Sequence, residues 1–202
     1  MPALSESHAM FGRFLACVAL RQALLLLSIA MPLYGSAGKA ESVALGGDFI
    51  LADAAGGSFR LAAYRGRVVL VYFGYTGCPD LCPTQLSTMR AVLRQLGGLR
   101  NQVTPVFISV DPARDTPPVL REYVRTFDPA IVPLTGSKGE LQRVARAYGA
   151  DFRYATGNGR SYTVDHSTHL FVVDRQGRLV RVLPHGTPVE EIVKVVNELI
   201  GR

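Results

Sequence analysis

Two cysteines, Cys78 and Cys82, lie in a segment rich in glycine and proline, residues 74–83 (GYTGCPDLCP). A close pair of thiols can form a disulfide, act as a redox couple or bind a metal ion. The pair follows an apolar segment and precedes a helical pattern, and thiolates at the amino end of a helix have lowered pKa values. We therefore expect low thiol pKa values here, which favour nucleophilic attack and metal binding equally.

The spacing of the pair bears on the choice between these chemistries. Three residues separate Cys78 from Cys82, whereas dedicated disulfide exchangers usually have two residues between their cysteines. The longer spacing allows both sulfurs to point at one external atom. Cu(I) prefers thiolate ligands, so two sulfurs and one nitrogen suffice for it. A structural zinc site needs four ligands, which disfavours zinc in a chain with three cysteines and four histidines.

Hydrophobic periodicity predicts the elements that position the cysteines. Residues 67–73 and 103–110 are almost continuously apolar, which is typical of central strands covered on both faces. Between them, a helical pattern starts at Pro83 and ends at Gly97 and Gly98. The cysteine pair is thus predicted at a junction between a strand and a helix.

The second half of the chain predicts three helices and a hairpin. In chain order these are a helix opened by Thr116 and Pro117, a helix ending at Gly149, a hairpin of residues 168–173 and 179–183, and a last helix over residues 189–200.

The order of these elements indicates the fold class. A strand–helix–strand unit early in the chain, with an antiparallel hairpin and a helix at the end, is typical of the thioredoxin-like fold. We predict an α/β, thioredoxin-like fold with helices over both faces of the sheet. Residues 48–52 and 58–61, with two glycines between them, predict an N-terminal β-hairpin extension. The helices between Thr116 and Gly149 predict a middle helical insertion.

A third ligand is expected from His166. In a thioredoxin-like sheet, the loop that enters the penultimate strand lies beside the cysteine loop, and His166 lies in that loop. Its neighbour Asp165 either orients the imidazole or caps a turn. His169, if the segment is extended, points to the opposite face and is interpreted as structural. His185 is interpreted as a solvated loop residue.

The N-terminal segment, residues 1–40, predicts an export signal or an N-terminal membrane anchor. A short apolar run at residues 23–31 is followed by small residues that resemble a signal peptidase site. The run is shorter than the roughly 20 residues that span a bilayer, which favours a cleaved signal. Residues 41–202 are then a single domain that retains Cys78 and Cys82 but not Cys17.

Charge argues against one class of function. The chain has 22 Lys and Arg against 16 Asp and Glu, a formal net charge of +6. The arginines are scattered, whereas a nucleic-acid-binding protein concentrates basic residues in a patch or stripe. We expect no nucleic-acid partner, and a mildly basic surface suited to an acidic partner or an anionic membrane.

Several stretches in the same order resemble the Sco/SenC family of copper chaperones for cytochrome c oxidase. They are residues 73–83 (FGYTGCPDLCP), 108–117 (ISVDPARDTP), 164–167 (VDHS) and 173–177 (VDRQG).

The resemblance implies a function, a site and a location. It implies that Cys78, Cys82 and His166 bind copper, as Cu(I), Cu(II) or both. It implies that the protein supplies copper to the binuclear copper site of cytochrome c oxidase subunit II, or reduces the cysteines of that site. A thiol reductase or another copper chaperone is a further partner to expect. The implied location is the periplasm, with the protein soluble or anchored to the inner membrane.

Two acidic residues in the second of these stretches have two interpretations. Asp111 precedes a proline and Asp115 precedes a helix start, which is ordinary turn chemistry. The alternative is a place at the rim of the metal loop, in contact with a partner.

A different class of function remains open for the same cysteine pair. The two thiols could act as attacking and resolving groups in a thiol–disulfide reductase or thiol peroxidase. Against this, the segment before the penultimate strand lacks the proline that disulfide exchangers usually have there. A copper- or redox-sensing protein without a delivery role is a third interpretation, which sequence does not separate from a chaperone.

Overall fold

The computed structural model describes residues 45–155 and 162–201 of the chain. The predicted export segment, residues 1–40, lies outside the described residues, so the domain boundary at residue 40 stays a prediction. Within the described ranges, none of the helices has both the length and the apolar content needed to cross a membrane.

The described residues form nine strands, four α-helices and two short 3-10 helices. The strands are β1 (Ile50–Asp53), β2 (Ser58–Arg60), β3 (Val68–Gly74), β4 (Val103–Ser109), β5 (Val132–Thr135), β6 (Phe152–Ala155), β7 (Thr163–His166), β8 (Leu170–Val173) and β9 (Leu179–Leu183). The α-helices are α1 (Leu81–Leu96), α2 (Pro117–Arg125), α3 (Lys138–Ala147) and α4 (Val189–Ile200), and the 3-10 helices are Leu61–Tyr64 and Gly97–Gln102.

Seven of these strands form one mixed sheet in the order β2-β1-β5-β4-β3-β8-β9. Strands β3, β4 and β5 are parallel neighbours, β8 pairs antiparallel with β3, and β9 pairs antiparallel with β8. This arrangement confirms the predicted strand–helix–strand unit and the late hairpin. Strands β6 and β7 pair with each other in a separate two-stranded antiparallel sheet.

The position of β3 and β4 in the core accounts for the continuous apolar runs from which both strands were predicted. Every residue of both strands is buried, because each strand has a neighbour on both sides and is covered above and below. Helix α1 buries one face, including Leu86, Met89 and Leu93, and packs against α4. The predicted start of α2 is also confirmed, with Thr116 at the N-cap position and Pro117 as the first residue.

The middle of the chain holds more strand than the sequence predicted. Besides α2 and α3, it contains β5, β6 and β7. Strand β5 links the N-terminal hairpin to the sheet, because β1 pairs with it antiparallel. A strand of four residues is too short to show a clear alternation of apolar and polar residues. In β5, Pro133 also argues against a strand, because proline has no N–H to donate to a neighbouring strand. His166, predicted in a loop, is the last residue of β7.

Gly74 ends β3 at the place where the chain turns toward the cysteines. A Cβ atom there would lie 2.7 Å from the Phe107 ring, 2.8 Å from Cys82 Sγ and 3.1 Å from the Tyr72 ring. Distances below 3.0 Å are not tolerated, so one of these packed groups would have to move. A residue without a side chain is therefore needed for the sulfur of Cys82 to lie against the end of β3.

We expect Gly74→Ala to lower the free energy of unfolding of the metal-free protein by about 1–3 kcal/mol, the usual cost of overpacking a core. Urea denaturation measures it. The matched control is Gly98→Ala, because a Cβ at Gly98 would have no atom of the described part of the chain within 4 Å. This control should stay within about 0.5 kcal/mol of the unsubstituted protein. Equal stability of the two variants would show that the space around Gly74 relaxes freely.

Candidate metal centre

The two cysteines lie where β3 gives way to α1. Cys78 is in the connecting loop, and its N–H donates to the Tyr75 carbonyl at 3.3 Å. Helix α1 begins at Leu81 rather than at the predicted Pro83, so Cys82 belongs to its first turn. Both thiols are free and buried, with Cys78 8% exposed and Cys82 fully enclosed.

His166 joins the cysteine pair, as predicted. The ligand atoms that Cys78, Cys82 and His166 offer all lie within 4.8 Å of one another, and Cys82 Sγ is 3.4 Å from His166 Nε2. Across residues 45–155 and 162–201, this is the one group of three or more His, Cys, Asp or Glu side chains arranged to hold a metal ion. The imidazole reaches the site because β7 pairs with β6, placing His166 opposite Phe152.

The hydrogen bond on the far side of the imidazole fixes which nitrogen faces the thiols. His166 Nδ1 lies 3.0 Å from the Ser167 carbonyl oxygen, which can only accept, so Nδ1 carries the proton. Burial lowers the pKa of His166 and favours the neutral ring. The Nε2 lone pair therefore points at Cys82. The outer partner of the ring is this carbonyl, whereas Asp165, considered for that role, is exposed.

The prediction of a lowered thiol pKa is wrong for Cys82. Burial raises the pKa of Cys82 to about 12, since a thiolate at this position would lose its hydration. Hydrogen bonds from the Tyr75 backbone and the Tyr72 hydroxyl lower the pKa of Cys82 by less than burial raises it. Without a metal ion the site therefore holds a neutral thiol at Cys82 and a neutral imidazole, and a bound cation would supply the charge that a thiolate needs.

Aromatic rings enclose the inner side of the site. The rings of Tyr75 and Tyr72 meet the His166 ring edge to face, at centroid distances of 5.7 and 6.2 Å. The Tyr72 hydroxyl lies 3.6 Å from Cys82 Sγ as a hydrogen-bond donor. Tyr72 looked like an ordinary core residue of a strand in the sequence, whereas Tyr75 lay within the cysteine segment, residues 74–83.

Asp115 ties the cysteine loop to β4. Its carboxylate accepts hydrogen bonds from the Thr76 N–H at 3.0 Å, the Thr76 hydroxyl at 2.6 Å and the Ser109 hydroxyl at 2.6 Å. The side chain is 1% exposed, so it cannot contact a partner at the surface. Turn chemistry explains why an aspartate suits the backbone here, but not why its carboxylate points inward at Thr76.

Asp111 holds a second connection to the same loop. Its buried carboxylate forms an ion pair with Arg114 and accepts from the Tyr162 hydroxyl at 2.7 Å. The Arg114 guanidinium lies over the Tyr162 ring at 3.8 Å and reaches within 5.5 Å of the Tyr75 ring. Asp111 and Asp115 thus support the cysteine loop from behind, a role that neither of the two sequence interpretations predicted.

The two remaining histidines of the described chain do not join the group. His169 is exposed, with its ring 6.3 Å from that of Phe171. His185 is half-buried in the turn after β9.

A cleft of about 380 Å³ leads from the surface to the site. It is lined by residues of the cysteine loop, the start of α1 and β7, which are Tyr75, Cys78, Pro79, Asp80, Leu81, Thr163, Val164, Asp165, His166 and Thr168. Cys78 and His166 therefore line the cleft, whereas Cys82 is not among its lining residues and is fully buried.

The donor set fits a soft metal ion. Three ligand atoms at about 2.0–2.3 Å from one ion lie about 4 Å apart, close to the spacing found here. Two sulfurs and an imidazole nitrogen suit ions that prefer thiolate ligands. Small movements of the Cys78 and Cys82 side chains are enough to close the group around an ion.

Comparison with known proteins identifies the family. The family model for SCO1/SenC matches residues 37–201. The SCO2-like protein of Rickettsia felis is 36% identical over 179 residues, which is 86% of this chain and 87% of the relative.

Solved structures of relatives share the fold. Copper-bound ScoI from Bradyrhizobium japonicum matches with a TM-score of 0.72 and 35% identity, over 77% of this chain and 99% of that protein. Copper-bound yeast Sco1 matches with a TM-score of 0.71 and 34% identity, over 78% of this chain and 89% of that one. These neighbours confirm the predicted α/β, thioredoxin-like architecture, and with the family match they show that the chain belongs to the SCO1/SenC family.

Proposed function

We propose that this protein is a copper chaperone that binds one copper ion through Cys78 Sγ, Cys82 Sγ and His166 Nε2. The observation that carries the proposal is the convergence of these three donor atoms within 4.8 Å. The donors come from two distant parts of the chain, because Cys82 and His166 are 84 positions apart. Relatives solved with copper bound support the choice of metal.

The nature of the donors supports copper over zinc. Cu(I) is stable with two thiolates and one imidazole, and cysteine and histidine also serve Cu(II) in proteins. A structural zinc site takes four protein ligands, and the described residues bring three together. Copper binding displaces the thiol protons, so the two thiolates offset the charge of the ion.

The cleft sets the direction from which an acceptor reaches the ion. Cys78 and His166 line the opening, whereas Cys82 is fully buried. Incoming ligands of the acceptor therefore replace Cys78 and His166 first, and Cys82 releases the ion last. Such stepwise exchange keeps the copper bound to at least one protein throughout the transfer.

The acceptor we propose is the binuclear copper site of cytochrome c oxidase subunit II, as the family resemblance implies. A thiol reductase that returns Cys78 and Cys82 to the reduced state, or another copper chaperone that loads the site, would be a further partner. The location that goes with this role is the periplasm, with residues 1–40 acting as an export signal or as an anchor in the inner membrane.

The alternative of a thiol–disulfide reductase or thiol peroxidase has weaker support. Such enzymes need an exposed thiolate with a low pKa. Cys82 is fully buried, and burial raises its pKa to about 12. Cys78 lines the cleft but is only 8% exposed. The environment therefore favours a metal site over a nucleophile.

We expect His166→Ala to weaken copper binding by more than the roughly 10–100-fold that loss of an outer partner of a ligand costs. Competition with a copper chelator of known affinity measures the change. His169→Ala is the control, since His169 is exposed and three residues away, and it should bind as the unsubstituted protein does. Unchanged stoichiometry and affinity in His166→Ala would disprove the three-ligand site.

The delivery step has a direct assay. We expect the copper-loaded protein to fill the binuclear site in a metal-free, reduced soluble domain of subunit II, seen as the absorption bands of that site. A chelator that buffers free copper at the same concentration provides the reference. Filling at the same rate from the chelator alone would contradict delivery. In a separate assay with the acceptor domain oxidised, reduction of its disulfide by the copper-free protein, with formation of a Cys78–Cys82 disulfide, would indicate a reductase.

We expect Thr76→Val to lower copper affinity by roughly tenfold, because it removes a hydrogen bond through which Asp115 holds the cysteine loop. Loss of this bond should also cost about 1–2 kcal/mol of stability. The control is Thr104→Val, since the Thr104 hydroxyl is buried and has no hydrogen-bond partner within residues 45–155 and 162–201. Copper titration and urea denaturation of both variants measure the two effects. A loss of stability in Thr76→Val with unchanged affinity would assign Asp115 to folding alone.

A further inference from the structure

The phenolic oxygen of Tyr72 makes a contact that the ligand set does not explain. Tyr72 lies in β3, is fully buried, and places its hydroxyl 3.6 Å from Cys82 Sγ. The sulfur is the hydrogen-bond partner that the described residues give this hydroxyl. A buried hydroxyl without a hydrogen-bond partner costs free energy. The hydrogen bond to Cys82 Sγ offsets this cost for the buried hydroxyl of Tyr72.

The direction of this hydrogen bond is fixed when a metal ion is bound. A metal-bound cysteine has lost its proton and can only accept. A tyrosine hydroxyl is protonated at neutral pH, so the Tyr72 hydroxyl has a proton to donate. Tyr72 is thus the donor and Cys82 Sγ the acceptor.

Packing prevents the hydroxyl from turning away. The Tyr72 ring lies 6.2 Å from the Phe107 ring and meets the His166 ring edge to face at the same centroid distance. The absent Cβ of Gly74 leaves room for the edge of this ring and for Cys82 Sγ together. The donor is therefore preorganised before any ion is present.

We infer that Tyr72 is a positioning residue whose hydrogen bond to Cys82 Sγ favours Cu(I) over Cu(II) in the site. The inference rests on the proposed copper site. A hydrogen bond to a metal-bound sulfur withdraws electron density from it and weakens its donation to the ion. Cu(II) depends on that donation more than Cu(I) does, and hydrogen bonding around a cysteine sulfur tunes the potential of copper sites.

The same bond makes the two sulfurs unequal. Cys82 is buried and accepts from Tyr72, whereas Cys78 faces the cleft. Cys78 is then the stronger electron donor of the two, and its sulfur dominates the charge-transfer absorption of the Cu(II) form. Removal of the Tyr72 hydroxyl should make the two sulfurs more alike.

The test compares Tyr72→Phe with Tyr123→Phe. Each change removes one buried hydroxyl and keeps the ring, but the Tyr123 hydroxyl has no hydrogen-bond partner among the described residues. Affinities for Cu(I) and Cu(II) are measured by chelator competition. We expect Tyr72→Phe to shift the ratio of the two affinities about tenfold toward Cu(II), equal to a fall of about 59 mV in the one-electron potential. Tyr123→Phe should leave the ratio unchanged.

Spectra provide a second readout that a purely structural role would not alter. We expect the sulfur-to-Cu(II) absorption of Tyr72→Phe to move to lower energy. In the unsubstituted protein, transfer to D2O should shift the copper–sulfur stretching frequencies, and this shift should shrink in Tyr72→Phe. The D2O measurement needs no variant, so it applies even if Tyr72→Phe folds poorly.

The outcomes separate the inference from the proposed function. Equal losses of Cu(I) and Cu(II) affinity in Tyr72→Phe, or the same ratio change in both variants, would overturn the inference and leave the copper site intact. Absence of a D2O shift in the unsubstituted protein would also overturn it. Failure of the unsubstituted protein to bind copper would instead overturn the proposed function.

Discussion

The contact between Cys82 Sγ and His166 Nε2, at 3.4 Å, is the constraint on which the site depends. It joins the first turn of α1 to the end of β7. It forms only if β3 pairs in the correct register within the seven-stranded sheet and β7 pairs in the correct register with β6. A shift of one residue in β7 would turn His166 to the other face of its strand and leave the thiols without a nitrogen donor.

The polar groups around this contact follow one electrostatic pattern. Cys82 Sγ and His166 Nε2 are in an apolar, aromatic environment that favours their neutral forms, because burial raises the pKa of Cys82 and lowers the pKa of His166. The charged groups, Asp111, Asp115 and Arg114, lie behind the loop and are satisfied by their own partners. The loop is thus held firmly from behind, while the carboxylates of Asp80 and Asp165 line the cleft on the open side, from which a cation enters.

The sequence predicted the parts of this arrangement that depend on strong local patterns. The continuous apolar runs of β3 and β4, the start of α2 at Pro117 and the cysteine spacing each have a direct physical signal. Strands β5 to β7 are four residues long, and their pairing depends on distant partners. Likewise, the sequence marked Asp115 as a turn residue, but the inward direction of its carboxylate follows only from the position of Thr76 across the fold. Tyr72 and Gly74 look like ordinary members of a buried strand until the sulfur of Cys82 is placed beside them.

The separate pairing of β6 with β7 has a mechanical consequence. A two-stranded ribbon has little stability of its own, while the sheet that carries the cysteine loop has seven strands. Regions with few cooperative contacts open at a lower free-energy cost than the whole domain. The imidazole therefore lies on the less stable of the two sheets and the two sulfurs beside the more stable one, so the nitrogen side of the site can open while the seven-stranded sheet stays folded.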